Sequence, residues 1–159
     1  MNKQPTDLKM LLRDPSLLQT RAYVAGEWID ADDGKTFPVI NPARGDIIAE
    51  VADLSRAEVA RAIKAADAAM KDWAARTGKE RAQVMRKWFD LMMANQDDLG
   101  AILTAEMGKP LPEAKGEIAY GASFIEWFGE EAKRIYGETI PGHMRDKRLT
   151  VIRQPIGVV

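Results

Sequence analysis

Few residues in this sequence could do chemistry. Among 159 residues there is no cysteine and one histidine. The lack of cysteine removes disulfides, thiolate metal ligands and thiol nucleophiles together. His143 falls in the polar run Thr139–Asp146, with no second histidine, cysteine or serine beside it. It reads as an exposed loop residue, because a metal centre needs several convergent ligands and the sequence offers only dispersed carboxylates. Carboxylates occur in pairs at Asp97/Asp98, Glu113/Glu117 and Glu126/Glu130. Lys115, Lys133 and Arg134 accompany them at helical spacing, so the pairs read as solvated faces and none stands out as an acid–base couple. No G-x-G-x-x-G or G-x-x-x-x-G-K-[ST] run is present to cradle a phosphate. Gly116 and Gly121 lie inside a helical pattern, where close packing is the expected reason for glycine. What remains is an aromatic row, Tyr120, Phe124, Trp127 and Phe128. It reads either as core packing or as a functional surface.

That row belongs to the stretch Thr104–Gly137. Met107-Gly108 is a helix stop, and Pro110 bars continuation. Pro112 suits the first turn of a new helix. About 25 residues then run without another proline, roughly 37 Å of helix. Ile118, Ala122, Ile125, Ala132 and Ile135 form one stripe, and the aromatics form a second. A helix apolar on two sides is expected to be buried on two sides.

Upstream, residues 1–20 read as an arm in which Thr6 caps a short helix through Leu8, Leu11 and Leu12, ended by Asp14-Pro15. Such an arm packs on something or frays. Ala22–Ile29 reads as strand with a tight turn at Gly26-Glu27. Thr36–Ile40 and Ile47–Val51 read as further strands, separated from their neighbours by turns at Ala31–Lys35 and Asn41–Asp46, with Pro38 on an edge. Ser55–Glu58 and Thr77–Glu80 are capping boxes. The first precedes a stripe of Val59, Ala62, Ile63, Ala66, Met70 and Trp73. The second precedes Val84, Trp88, Leu91 and Met92. Asn95 is placed to cap a third helix, with Asp97 and Asp98 in its first turn. Thr139–Asp146 reads as loop or hairpin turn and Lys147–Gln154 as strand. Pro155–Val159 reads as a strand buried on both faces. Domains seldom stop inside such a strand, so the expectation is a chain cut at the entrance to a larger domain.

Composition is globular, with 46% apolar and 30% charged residues. A net charge of −1 provides no field for nucleic acid or anionic membrane. No 18-residue apolar run spans a bilayer, and the N-terminus has no signal-peptide pattern. A cytoplasmic location is the default expectation.

Several segments carry a resemblance. Glu106-Met107-Gly108-Lys109-Pro110, then Glu113-Ala114-Lys115-Gly116-Glu117-Ile118, resembles the E-x-G-K-P…E-A…E-I signature of the aldehyde dehydrogenase superfamily. Ile40-Asn41-Pro42-Ala43-Arg44-Gly45 is similar to its N-P-A-x-G segment. Ser123–Phe128 and Lys133–Pro141 are nearest the succinate-semialdehyde dehydrogenases. The resemblance runs from about Ala22 to Val159 and implies the N-terminal third of an α/β enzyme. Residues 21–137 would be the first part of the cofactor-binding domain, with hairpins and about four helices. Residues 138–155 would be an oligomerisation hairpin, and 156–159 the first strand of the dinucleotide-binding sheet.

The resemblance implies an intact enzyme that oxidises succinate semialdehyde with NAD or NADP through a cysteine nucleophile and a glutamate base. No residue here matches either catalytic group or a cofactor ligand, so this chain alone is expected to be inactive and to bind no cofactor. It implies a substrate passage beside Tyr120, Phe124 and Trp127. It also implies a monovalent cation held by the backbone carbonyls of Ile40 and Glu106, and a homo-oligomer, dimer or tetramer. The rival reading is a stand-alone helical assembly module that uses the aromatic face to bind a partner.

Overall fold

The computed structural model describes residues 7–159. Two 3-10 turns, Leu8–Leu11 and Pro15–Leu17, open it. Thr6, the expected cap, lies outside the described residues. Asp7 takes the capping position and accepts from the Lys9 N–H. The described part of the arm packs rather than frays: Leu8, Leu12 and Leu18 are buried together against Ile48, Ala101, Ile102 and Ala105.

Three antiparallel hairpins follow the turn chemistry: β1 (Ala22–Val24) with β2 (Glu27–Ile29), β3 (Thr36–Ile40) with β4 (Ile47–Ala52), and β5 (Glu138–Pro141) with β6 (Arg148–Val151). The β1–β2 turn is Ala25-Gly26, one residue earlier than the sequence places it. Both residues have positive φ, 54° and 90°. That geometry matches the twist of the flanking strands, and Glu27 is released to pair with Val24. Pro38 faces Glu50 in a two-stranded sheet, where its missing N–H points outward, and a bulge follows at Val39/Ile40. Thr139–Pro141, within the stretch expected as loop or hairpin turn, belongs to strand β5. Thr139 pairs with Thr150 and Ile140 with Leu149. The expected strand Lys147–Gln154 shortens to Arg148–Val151. Pro155–Val159 forms no strand. An extended segment needs a neighbour for its N–H and C=O groups, and no described strand lies beside it.

Four α-helices occupy the middle of the chain: α1 (Arg56–Ala75), α2 (Gly78–Ala94), α3 (Gln96–Met107) and α4 (Leu111–Glu131). Both capping boxes close as expected, at Ser55/Glu58 and Thr77/Glu80. Asn95 does not cap α3. Its Nδ2 donates to the Leu91 carbonyl at 2.8 Å and closes α2 instead. Its backbone, φ −107° and ψ 17°, lacks the extended form that a cap needs. Gly108 ends α3 in the left-handed region at φ 81°. Helix α4 stops at Glu131, short of Ile135. Its last turn tightens, with Lys133 N donating to Glu130 O and Arg134 N to Glu131 O.

Helix α4 packs on α2 and α3 through small residues. Ala114, Ala122 and Gly129 are its buried positions. A Cβ on Gly129 would lie 3.2 Å from the Met85 Cβ, and one on Gly100 would lie 2.8 Å from the Lys115 Cγ. Both are close-packed, as is Gly78 at the start of α2, which lies against the Ala132 carbonyl oxygen. Gly116 and Gly121, expected in that role, have no atom of another element within 4 Å. Arg86 Nη1 bridges α2 to Glu126 on α4 at 2.8 Å. The α1 stripe is not covered: Val59, Ile63 and Trp73 are exposed.

The acidic pairs are not all solvated. Asp98 is 6% exposed and accepts the Arg13 N–H at 3.0 Å and the Asp14 N–H at 2.9 Å. Asp97 lies between Arg13 and Lys115, at 2.8 and 2.7 Å. Glu58 is 2% exposed and accepts from Ser55 N and Asp32 N, at 2.6 and 2.7 Å, joining α1 to the loop that follows β2. Arg61 forks onto Asp32 from the same helix.

The Ser55 hydroxyl, then the backbone N–H groups of Asp32 and Ser55, hold the Glu58 carboxyl below its ordinary value of 4.5. A carboxylate lowered by folding stabilises the fold above its ordinary value, and that contribution is lost as the pH falls through the lowered one. Acid titration followed by circular dichroism is expected to show helix loss in that window. In Glu58→Gln this part of the pH dependence should disappear. An acid titration identical to that of the parent chain would refute the role of Glu58.

Candidate functional site

The face with most to offer chemically lies on α4. Helical spacing places Tyr120, Phe124 and Trp127 on one side of the helix, with Phe128 beside them. The opposite side is taken up by α2 and α3, so the aromatic rings are left outward. Tyr120 and Trp127 are each 65% exposed, and Phe124 and Phe128 about half exposed. Core packing, the first expectation for this row, is therefore not met among the described residues. Tyr120 and Phe124 meet edge to face at 4.9 Å between ring centres. An open hollow of about 680 Å³ lies beside them, lined by Ser123, Phe124, Glu126, Trp127, Phe128 and Glu130. The structure thus brings Tyr120, Phe124 and Trp127 onto one surface. Phe128, the fourth ring of the row, lies beside them, and the hollow adds Ser123, which no spacing in the sequence singled out.

The carboxylates at this hollow are held as ion pairs, Glu126 with Arg86 and Glu130 with Lys133. Lys133 and its positive charge hold the Glu130 carboxyl below its ordinary value. Glu130 is therefore not poised as a base at neutral pH. What the face can do is present apolar rings.

Ile40 ends β3 at the bulge, and Glu106 lies in the last turn of α3. The loops that follow them converge: a Cβ on Gly108 would stand 3.1 Å from the Pro42 Cγ. His143 is exposed in the β5–β6 turn. Among the described residues no cluster of three or more His, Cys, Asp or Glu could hold a metal, and no helix is long and apolar enough to cross a membrane.

A dinucleotide does not fit the residues present. Helix N-termini that bind phosphate offer free N–H groups and a positive dipole end. Here α1 and α2 fill theirs with Glu58 and Glu80, α3 begins with Asp97 and Asp98, and Glu113 stands in the first turn of α4. No glycine-rich loop opens any of them.

The model of the aldehyde dehydrogenase family matches residues 28–159. The chain belongs to the aldehyde dehydrogenase family. Glutarate-semialdehyde dehydrogenase of Pseudomonas aeruginosa is 62% identical over 149 residues, 94% of this chain. The NADP-type succinate-semialdehyde dehydrogenase of Escherichia coli is 56% identical over 149 residues, again 94% of the chain. The crystal structure of succinate-semialdehyde dehydrogenase from Burkholderia pseudomallei superimposes with a TM-score of 0.89 at 55% identity over 92% of the chain, and 30% of that structure is covered. The chain spans 31% of the length of the two sequence relatives. Its hairpins and four helices are thus the N-terminal portion of the α/β aldehyde dehydrogenase fold. A stand-alone helical module is not favoured. The resemblance to the succinate branch widens to a resemblance to semialdehyde dehydrogenases, glutarate and succinate alike.

Proposed function

We propose that this aldehyde dehydrogenase chain acts as the N-terminal third of an NAD(P)-dependent semialdehyde dehydrogenase and supplies framework, with no catalytic group of its own. The observation that carries this reading is the outward aromatic face of α4, in a family member that spans under a third of its relatives. The chain has no cysteine, so none of its residues can serve as the nucleophile that the resemblance implies. Tyr120, Phe124 and Trp127 would wall the passage of the aldehyde. The carbonyls of Ile40 and Glu106 would hold a structural monovalent cation. The exposed strands β5 and β6 have free edges, which suit pairing with a second subunit of a homo-oligomer.

The named relatives act on glutarate or succinate semialdehyde. These share an aldehyde at one end and a carboxylate at the other and differ by one methylene. The substrate class is thus a short semialdehyde with a distal carboxylate. NADP or NAD would accept the hydride, and residues of the remaining two-thirds would bind it. The cytoplasm suits this chemistry.

Purified alone, the chain is expected to give no semialdehyde-dependent reduction of NAD or NADP. Joined through Val159 to the remaining two-thirds of the P. aeruginosa enzyme, it is expected to support that reaction. Turnover by the chain alone, or a folded joined protein without turnover, would overturn the proposal.

A further inference from the structure

Gly116 and Gly121 stand in the middle of α4 with no packing partner among the described residues. Glycine inside a helix is destabilising relative to alanine, because it gives up more backbone freedom and buries no side chain. The buried side of α4 explains its own glycine, Gly129, by the approach of Met85. No contact among the described residues explains the other two. Their places on the helix are informative. At 3.6 residues per turn, Gly116 falls within about 20° of Trp127, and Gly121 within about 20° of Phe128. Tyr120 and Phe124 lie between those two lines. The glycines therefore flank the outward aromatic face on both sides, where an absent Cβ lets another backbone come close.

We propose that Gly116 and Gly121 are the points at which the catalytic body, the two-thirds of the enzyme beyond this portion, seats its backbone against α4. This rests on the reading of the chain as the N-terminal third of a semialdehyde dehydrogenase. The occupant follows from length: the solved relative that superimposes on 92% of this chain is more than three times as long, so most of its chain is available to cover this face. Within that assembly the glycines are the closest approach on either side, and the rings between them remain the wall of the passage.

The sign of a substitution separates this from a glycine of no consequence. In the free chain, Gly116→Ala and Gly121→Ala meet open space and should each raise the midpoint of the helical circular-dichroism melt by about 2–4 °C. In the protein joined through Val159 to the body of the P. aeruginosa enzyme, the double variant should lower the midpoint and cut semialdehyde turnover roughly tenfold or more. The rise in the free chain shows that the loss does not come from a misfolded α4. A higher or unchanged midpoint in both contexts overturns the proposal and leaves the function reading standing. A lower midpoint in the free chain overturns it too, since the space would then be filled. If the joined parent protein folds without turnover, the function reading fails and this inference falls with it.

Discussion

Asp98→Ala is expected to release residues 7–20 from the helical layer and to destabilise the chain by about 2–3 kcal/mol. The Asp98 carboxylate is 6% exposed and accepts two backbone N–H groups, from Arg13 and Asp14, across more than 80 residues of sequence. Removing the acceptor leaves two donors facing a methyl group, and an unmet buried donor costs about 1–3 kcal/mol. The apolar contact of Leu8, Leu12 and Leu18 with Ala101, Ile102 and Ala105 depends on the same alignment. The neighbouring Arg13–Asp97 pair cannot compensate, because Arg13 is 81% exposed and such pairs contribute little. Denaturant melts and limited trypsin digestion check this. Cleavage after Arg13 should become fast in Asp98→Ala, and intermediate in Asp98→Asn, which keeps one acceptor oxygen. An unchanged digestion rate and an unchanged midpoint would remove Asp98 from its role.

What could be read from the sequence divides by range. Ser55 with Glu58, and Thr77 with Glu80, are three residues apart and need nothing else, so both boxes appear as expected. The stop at Gly108 is equally local. Local misses are small, as at Asn95 and the Ala25-Gly26 turn, and the larger ones come where the answer lies elsewhere in the chain. Asp98 looks like any acidic residue in a first helical turn until Arg13 and Asp14 arrive. Gly116, Gly121 and Gly129 are alike in the sequence of α4, yet only Gly129 meets Met85. Thr139–Pro141 has weak strand character alone and becomes β5 because Arg148–Val151 pairs with it. Pro155–Val159, with stronger strand character, has no partner and forms none.

The candidate site follows the same division. Helical spacing placed Tyr120, Phe124 and Trp127 on one line, and the structure keeps them there. Periodicity says that a face is apolar, not what covers it, so core and surface read alike. In this chain the rings are exposed. The family match supplies the remaining context, because the chain covers 31% of enzymes that name a semialdehyde.

Phe124→Ala, made in the joined enzyme, is expected to lower kcat/KM for glutarate semialdehyde about tenfold, mostly through KM. Phe124 lies four residues after Tyr120 and three before Trp127, so its ring links the row. Its edge-to-face contact with Tyr120, 4.9 Å between centres, fixes both rings. An aldehyde sliding along this face would lose that contact surface on entry, while the reacting atoms, held by the rest of the enzyme, are untouched. A KM effect without a kcat effect is the signature of lost uniform binding. Stability should change little in the free chain, where Phe124 is 47% exposed and lies outside the cluster of Leu8, Leu12 and Leu18. Phe124→Leu should recover part of the loss by refilling apolar volume. The ratio of kcat/KM between succinate and glutarate semialdehyde should shift in Phe124→Ala, because the longer substrate has more chain to lay against the ring. Unchanged constants for both aldehydes would show that the row is not part of the passage.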